Sequence, residues 1–351
     1  MTSTLTAAGA DLSVTTMQAA VVEEANARWE LQDRPVPELG PDDVLVKIHA
    51  CGMCGTDLWL AQGALSFRPF PLVCGHEGAG EVVAVGAGVT KRKVGDRVGV
   101  FMMQKADGVC DFCHEEHTNS FVTAANCANP KLTGVTVDGA FADYIAVDVG
   151  GTVLLPDGVP YEEAAPILCS GYTVWAAIRR AAPAPGARIG VVGIGALGHL
   201  AIQYAKAAGF HVVAITKSAG KHDLVRQLGA DEVVTDGASL KASGGVDVLL
   251  HTSSSHELVL DALNGLKPWG KLVVCGIGFD AMNLPALGLT SNSQQVIGSA
   301  HNGIEYLVEA LAFLGRGEVK PMIEVFPKER IADAYDKVVS GDIRFKAVVT
   351  F

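Results

Sequence analysis

From Gln18 to about Gly150, apolar and polar positions alternate in short runs: QAAVVEE, DVLVKIHA, AGEVVAVG, RVGVFMM and FADYIAV. A period of two with β-branched residues and Pro/Gly punctuation predicts β-strands, and GDRV and VDGAFADY supply hairpin turns between them. Near Tyr161 the pattern changes: YEEAAPILCSGYTVWAAIRRA predicts helix and stops at PAPGA. From Arg188 onward the runs RIGVVG, HVVAIT, EVVT, VDVLLHT and GKLVVCG alternate with the helical patterns LGHLAIQYAKAAG, KHDLVRQLG and HELVLDALNGL. Alternation of this kind predicts a doubly wound parallel sheet. After Ile297, GIEYLVEALAFLGRG predicts an amphipathic helix and RFKAVVTF a closing strand. The fold class is therefore α/β, a β-rich domain followed by a doubly wound parallel-sheet domain.

Length and composition support that division. At 351 residues the chain exceeds one ordinary domain, and 49% hydrophobic against 19% charged residues is enough apolar content for well-formed cores. A net charge of −11 argues against a nucleic-acid partner, which needs clustered Lys and Arg. No run reaches the roughly 18 apolar residues of a membrane span; the most apolar stretch, 189–209, is broken by glycines, His199 and Lys206. The first 16 residues, MTSTLTAAGADLSVTT, lack the basic start and apolar core of a secretory signal, so a short extension and a cytoplasmic location are expected. In that compartment thiols stay reduced. The eight cysteines, at 51, 54, 74, 110, 113, 127, 169 and 275, then favour metal over disulfide. The C-x-x-C in HACGMCGTDLW (49–59) still leaves three readings: a redox dithiol, half of a zinc knuckle, or a pair in which one cysteine matters.

A dinucleotide site is legible without any relative in view. RIGVVGIGALGHLAIQYAKAAG sets Gly193, Gly195 and Gly198 as G-x-G-x-x-G directly after a strand and at the start of a helix. The first glycine allows the tight turn, the second admits a pyrophosphate and the third lets helix pack on strand. The next strand, HVVAITKSAGK, ends in Thr216, Lys217 and Ser218 with Lys221 beyond, where NAD sites usually carry Asp or Glu. Hydroxyls and ammonium groups suit a 2′-phosphate, which points to NADP(H). The alternative is NAD(H), with Lys217 and Lys221 as ordinary solvated charges.

The ordered set CGMCGTD, CGHEGAGEVVAVG (74–86) and PILCSGYTVW (166–175), followed by the glycine loop, resembles the zinc-dependent alcohol dehydrogenases of the medium-chain dehydrogenase/reductase superfamily. The resemblance runs from Met17 to Phe351. It implies a GroES-like β-rich catalytic domain over 1–168 (1–16 being the extension), completed by 300–351, with a Rossmann coenzyme domain over 169–299 and the active site in the cleft between them. It implies a catalytic zinc held by Cys54, His76 and Cys169, which makes Cys51 a packing residue and settles the C-x-x-C. Two thiolates and one imidazole leave an open fourth position, where zinc acts as a Lewis acid. By the same resemblance Asp57 fixes the His76 tautomer, Glu77 approaches the metal during ligand exchange, and Thr56 shares the substrate proton. Thr173 and Leu197 would pack on the nicotinamide.

Two departures stand out. Many relatives carry a relay histidine five residues after the ligand cysteine, where this chain has Trp59. A Trp cannot relay protons, so it is expected to line the substrate pocket with Met102 and Ile277, favouring hydrophobic or aromatic alcohols and aldehydes. The family's structural-zinc lobe reads C-x-x-C-x-x-C-x7-C; here Asp107 takes the first place, Cys110 and Cys113 the next two, and the fourth falls on Phe121 with Cys127 six residues on. A second, structural zinc on Asp107, Cys110, Cys113 and Cys127 is expected, with His114 or His117 as substitutes and a metal-free lobe as the alternative.

The expected activity is zinc-dependent hydride transfer between NADP(H) and an alcohol/carbonyl pair, in a homodimer or homotetramer. Three rival readings remain: an NAD-dependent alcohol or polyol dehydrogenase of this fold, a zinc-free enoyl or quinone reductase, and a degenerate zinc- and nucleotide-binding sensor.

Overall fold

The computed structural model describes residues 14–114, 125–276 and 278–351, and it divides into two compact units. The first holds 1–169 and 323–351, the second 170–322.

The first unit is built on a seven-stranded sheet. The strand Asp43–Gly52 lies at its centre, with Gly78–Val85, Arg97–Val100 and Thr152–Leu154 following on one side and Lys346–Thr350 and then Ile323–Pro327 on the other; Tyr144–Asp148 also pairs with the central strand. Most of these pairings are antiparallel, and alternate residues such as Val44, Val46, Ile48 and Ala50 are fully buried. Four of the five runs with period two become sheet strands, and the fifth, QAAVVEE, falls in the ribbon strand Thr16–Val21. Its partner, Glu30–Pro35, is polar along its length and ends in proline, so its sequence carries no alternation to find. Close packing dictates several glycines: a Cβ on Gly80 would stand 2.1 Å from the Lys47 carbonyl.

The second unit is a six-stranded parallel sheet in the order Glu232–Val234, His211–Ile215, Arg188–Val192, Val246–His251, Leu266–Val274, Gln295–Gly298. This is the doubly wound order, with the reversal beside Arg188–Val192, where such sheets bind ligands at the carboxyl ends of their strands. The core is aliphatic: Val192, Val213, Ile215, Leu240, Leu249, Val259 and Leu272 lie on or against the sheet at full burial. The sixth strand, QVIG, is short and largely exposed, which is why its pattern goes unread in sequence.

The second compact unit runs on to Met322, past the 299 expected for the coenzyme domain. Residues 300–322 belong to the second unit because the helix Ile304–Gly315 packs on its helices. Trp175 in Ser170–Ala181 donates to Glu309 at 2.7 Å, and the buried Tyr204 hydroxyl in Gly198–Ala207 donates to the Ala310 carbonyl at 3.2 Å. The first crossing falls after Cys169, one residue later than expected. Among the described residues no helix is long and apolar enough to cross a membrane.

Tyr204→Phe removes one buried hydrogen bond between these helices. A loss of about 1 kcal/mol is expected, read as a lower urea midpoint with unchanged slope. An unchanged midpoint would mean the hydroxyl adds nothing to this packing.

Candidate active site and metal centres

Cys54 sits immediately before the helix Gly55–Ala61, whose third residue is Asp57. Asp57 is fully buried, and each carboxylate oxygen has work: Oδ2 accepts from the Cys54 amide at 2.8 Å and Oδ1 from the Gly75 amide at 2.9 Å. One side chain thereby pins both loops that carry the first two predicted ligands. Gly75 turns the chain with φ +97°, and a Cβ there would meet Phe141, so only glycine lets His76 reach inward. His76 Nδ1 then lies 3.3 Å from Asp57 Oδ1. Cys169 closes the set at the end of the 3₁₀ turn Ala165–Leu168.

The Cys54 and Cys169 sulfurs are 3.8 Å apart, and the ligand atoms of Cys54, His76, Glu77 and Cys169 all lie within 4.8 Å of one another. Two thiolates on one tetrahedral zinc at about 2.3 Å would stand roughly 3.75 Å apart. Both ring nitrogens of the fully buried His76 lack a hydrogen-bond partner; Nδ1 has the Asp57 carboxylate close by, whereas Nε2 is left at a cost in free energy unless something fills its place. The donor set, its spacing and this orphaned nitrogen fit a metal. A hydrogen bond from Cys169 holds the Cys54 thiol well below its ordinary range against the cost of burial, with Lys346 and His76 assisting, and Cys169 is pushed up in turn. Burial opposes a charge on His76, but the Asp57 carboxylate outweighs it and raises the imidazole. Cys51 lies outside the cluster: it is fully buried, its thiol donates to the Gly52 carbonyl, and burial pushes it up.

Glu77 has a partner that the motifs do not announce. Lys346, in the closing strand Lys346–Thr350, donates to Glu77 Oε1 at 2.6 Å with both side chains almost completely buried. Burial lifts the Glu77 carboxyl to about 7 despite this ammonium, while Glu77 and the two thiols keep Lys346 charged against its own desolvation. The sequence signal was a single cation in an otherwise apolar strand, FKAVVTF, which implies a buried anion opposite.

Thr56 and Trp59 lie three residues apart, on one side of the Cys54 helix. The Thr56 hydroxyl is 3.9 Å from the Cys54 sulfur, and Trp59 is half-buried. Met102 is buried and accepts from the Thr133 amide through its carbonyl; Ile277 lies outside the described residues.

A second cluster gathers Asp107, Cys110, Cys113 and Cys127, again with ligand atoms within 4.8 Å. Asp107 Oδ1 accepts from the Val109 and Cys110 amides, which hold its carboxyl well below the usual range, and its own amide donates to the Cys127 sulfur. Cys110 and Cys113 stand 3.4 Å apart. His117 and Phe121 lie outside the described residues, as does the side chain of His114.

In the second unit the glycine loop leaves the strand Arg188–Val192 at Gly193, with φ +92°. A Cβ on Gly198 would stand 2.0 Å from the Gly193 carbonyl, and one on Gly193 would strike Ser253, so the protein itself demands both glycines. A Cβ on Gly195 would meet nothing within 4 Å, so the second glycine preserves an open cradle of the kind a pyrophosphate occupies. Thr252 braces the turn by donating to the Gly193 carbonyl at 2.6 Å. Lys221 Nζ donates to the Ile194 carbonyl at 2.8 Å, which places its charge on the loop; Lys217 instead faces Glu257 at 3.3 Å. Ser218 donates its amide to the hydroxyl of the buried Thr216. Thr173 is buried near the start of Ser170–Ala181, and Leu197 directly precedes Gly198–Ala207.

A doubly wound parallel sheet with a glycine-loop turn and a Cys₂His cluster fit an oxidoreductase of the metal-dependent kind, and comparison with known proteins agrees. Residues 40–157 match the alcohol dehydrogenase GroES-like domain and 196–316 the zinc-binding dehydrogenase domain. An alcohol dehydrogenase of Geobacillus stearothermophilus is 37% identical over 340 residues, 95% of this chain and 99% of its own. The cinnamyl alcohol dehydrogenase SbCAD4 from Sorghum bicolor superposes with a TM-score of 0.86 at 32% identity, covering 95% of this chain and 97% of that one. A CAD from Helicobacter pylori, solved as a complex with NADP(H), gives 0.84 at 26% identity, covering 96% and 98%. The chain belongs to the zinc-type alcohol dehydrogenase family of the medium-chain dehydrogenase/reductases.

Lys346→Met strands Glu77 as an unpaired buried acid, and a loss of about 3–5 kcal/mol is expected. Adding Glu77→Leu should recover most of it. Urea unfolding of the three variants checks this; a Lys346→Met protein within 1 kcal/mol of the parent would show that the pair is not a constraint.

Proposed function

We propose that the protein is a zinc-dependent alcohol dehydrogenase working as an NADP(H)-linked reductase of hydrophobic or aromatic aldehydes and ketones. The observation that carries the reading is the buried Cys54–His76–Cys169 cluster with its orphaned imidazole nitrogen, in one chain with a glycine loop whose second glycine faces open space. When bound, zinc supplies a Lewis acid for the carbonyl oxygen and the nicotinamide supplies or takes the hydride.

The chain's own groups do the rest. Cys54 and Cys169, as thiolates, and His76 Nε2 would hold the metal. Asp57 fixes the imidazole tautomer through Nδ1 while pinning the Cys54 and Gly75 amides. Glu77, balanced by Lys346, keeps an acidic group beside the ligands for exchange. Thr56 is the hydroxyl positioned to hold the proton of the alcohol product. Trp59 would replace a proton relay by an aromatic wall, with Met102 as a further lining residue, which disfavours sugars. Thr173 and Leu197 would steady the nicotinamide, with Gly193, Gly195 and Gly198 admitting the pyrophosphate.

The absence of a carboxylate at Thr216, Lys217 and Ser218, together with Lys221 seated on the loop, supports a 2′-phosphate. Glu257 beside Lys217 favours the NAD(H) reading, because it neutralises one of the two cations. All eight cysteines are free, and two groups of them sit in metal-type clusters, which supports a reducing, cytoplasmic setting. The strand Gln295–Gly298 ends its sheet with Val296, Leu287 and Trp269 exposed nearby, which supports a homodimer through that edge; light scattering at a monomer mass would dismiss it.

The deciding experiment is kcat/KM for NADPH and NADH with an unhindered aromatic aldehyde and with a sugar aldehyde. A preference for NADPH of about tenfold or more, the worth of one charge-assisted contact, is expected, with the aromatic substrate favoured. An NADH preference would hand the lead to the oxidative NAD-dependent dehydrogenase, and no turnover of either aldehyde would favour the sensor.

Metal analysis supplies a second test. Two zinc ions per chain are expected. Cys110→Ser should lose one, lowering thermal stability while leaving kcat within about twofold, since lobe ligands act on folding rather than chemistry. A parent protein with a single zinc would mean that the Asp107 lobe folds without metal.

A further inference from the structure

Two side chains of the helix Gly198–Ala207 reach the segment 320–322. His199, fully buried and next after the third glycine, places Nδ1 3.1 Å from the Gly195 carbonyl and Nε2 3.2 Å from the Met322 amide. A backbone amide can only donate, so Nε2 is the acceptor and Nδ1 carries the proton given to Gly195. One turn further on, Gln203 grips Lys320 twice: Oε1 accepts from the Lys320 amide at 2.8 Å and Nε2 donates to its carbonyl at 3.0 Å. Residues 320–322 are therefore laid along this helix, and Met322 is the last residue of the coenzyme unit before the strand Ile323–Pro327.

The Gly195 peptide is held through its carbonyl. Its carbonyl takes the His199 amide at 3.1 Å as well as the ring, while the space a Cβ would occupy is open. A single imidazole in one tautomer thus ties the open part of the glycine loop to the segment where the chain leaves the unit. Turning the Gly195 peptide away from its donor would release the ring, and with it the acceptor that the Met322 amide uses.

We propose that His199 is a positioning residue: it presets the Gly195 peptide for the dinucleotide pyrophosphate and couples that peptide to Lys320–Met322, so that filling the loop firms the exit segment. The inference rests on the dinucleotide reading above. A histidine that merely satisfies its own hydrogen bonds in a core would affect stability but would not link cofactor to segment.

The test uses the full-length zinc-loaded protein with NADP+ and NAD+ titrated by calorimetry, and hydrogen exchange of peptides covering 318–324 with and without the bound nucleotide. In the parent, nucleotide is expected to slow exchange there about fivefold. His199→Leu should weaken binding about tenfold, the equivalent of one buried hydrogen bond, and abolish the slowing. His199→Asn carries an amide to the Nδ1 position but is too short to reach Met322; its affinity should stay within about threefold of the parent, with the slowing still lost. Should His199→Leu fail to fold, seen as lost zinc and a collapsed Tm, His199→Asn decides alone. Parent-like affinity in His199→Leu, or slowing preserved in either variant, overturns the proposal. A parent that binds neither nucleotide overturns the dinucleotide reading itself, a separate outcome.

Discussion

The first unit is organised by the need to gather six ionisable side chains in one place. Asp57, His76, Glu77, Cys169 and Lys346 lie buried together beside the half-buried Cys54, and an isolated charge there would cost several kcal/mol. Each is acceptable only because of the others. Asp57 is satisfied by two backbone amides, Glu77 by Lys346, and the thiols by each other. This requirement explains the unit's discontinuity: Lys346 arrives on a strand from the far end of the chain, and that strand pairs with Asp43–Gly52, which leads into Cys54. Gly52 belongs to the same economy, because a Cβ there would stand 1.9 Å from Glu77 Oε2. Both ring nitrogens of His76 and Glu77 Oε2 remain without a hydrogen-bond partner, and a cation held by this cluster would take up His76 Nε2.

The coenzyme unit solves a different problem, that of leaving backbone exposed without letting it wander. Two glycines are demanded by the protein's own packing and one by emptiness, and the difference separates architecture from binding surface. Thr252, Lys221 and His199 each take a carbonyl of the loop, at Gly193, Ile194 and Gly195 in turn. Three successive carbonyls held by side chains leave the loop preset rather than flexible. Preset geometry lowers the ordering cost of binding.

How much of this was legible in sequence depends on range. The β-rich then α/β order was legible because periodicity is local, and the ligand triad because its motifs are contiguous. The ribbon strand Glu30–Pro35 and the sixth sheet strand Gln295–Gly298 were not, since half-exposed short strands carry little alternation. That 300–322 fall in the second compact unit has a tertiary cause: the amphipathic pattern of Ile304–Gly315 states that one face is buried but not against which neighbour. Lys346, His199 and Gln203 escaped for the same reason. Their partners Glu77, Met322 and Lys320 lie 269, 123 and 117 residues away, and no local pattern encodes such pairs.

The Asp107 lobe shows how loosely spacing binds geometry. In the family's pattern the fourth ligand follows the third by 8 positions, whereas Cys127 follows Cys113 by 14, yet all four groups converge. The entropic penalty of the longer loop grows only logarithmically, and the ratio of 14 to 8 adds about 0.5 kcal/mol. One hydrogen bond, such as that from the Asp107 amide to the Cys127 sulfur, is of comparable size. Irregular spacing was therefore weak grounds for doubting the cluster. The replacement of a thiolate by Asp107 is the more consequential change: its Oδ1 already accepts two backbone amides, so it comes to the cluster oriented, but as a harder and less strongly donating ligand than sulfur. A lobe built this way should hold its cation less tightly than four thiolates would, while the buried triad, with two sulfurs and an unsatisfied nitrogen, retains the stronger claim.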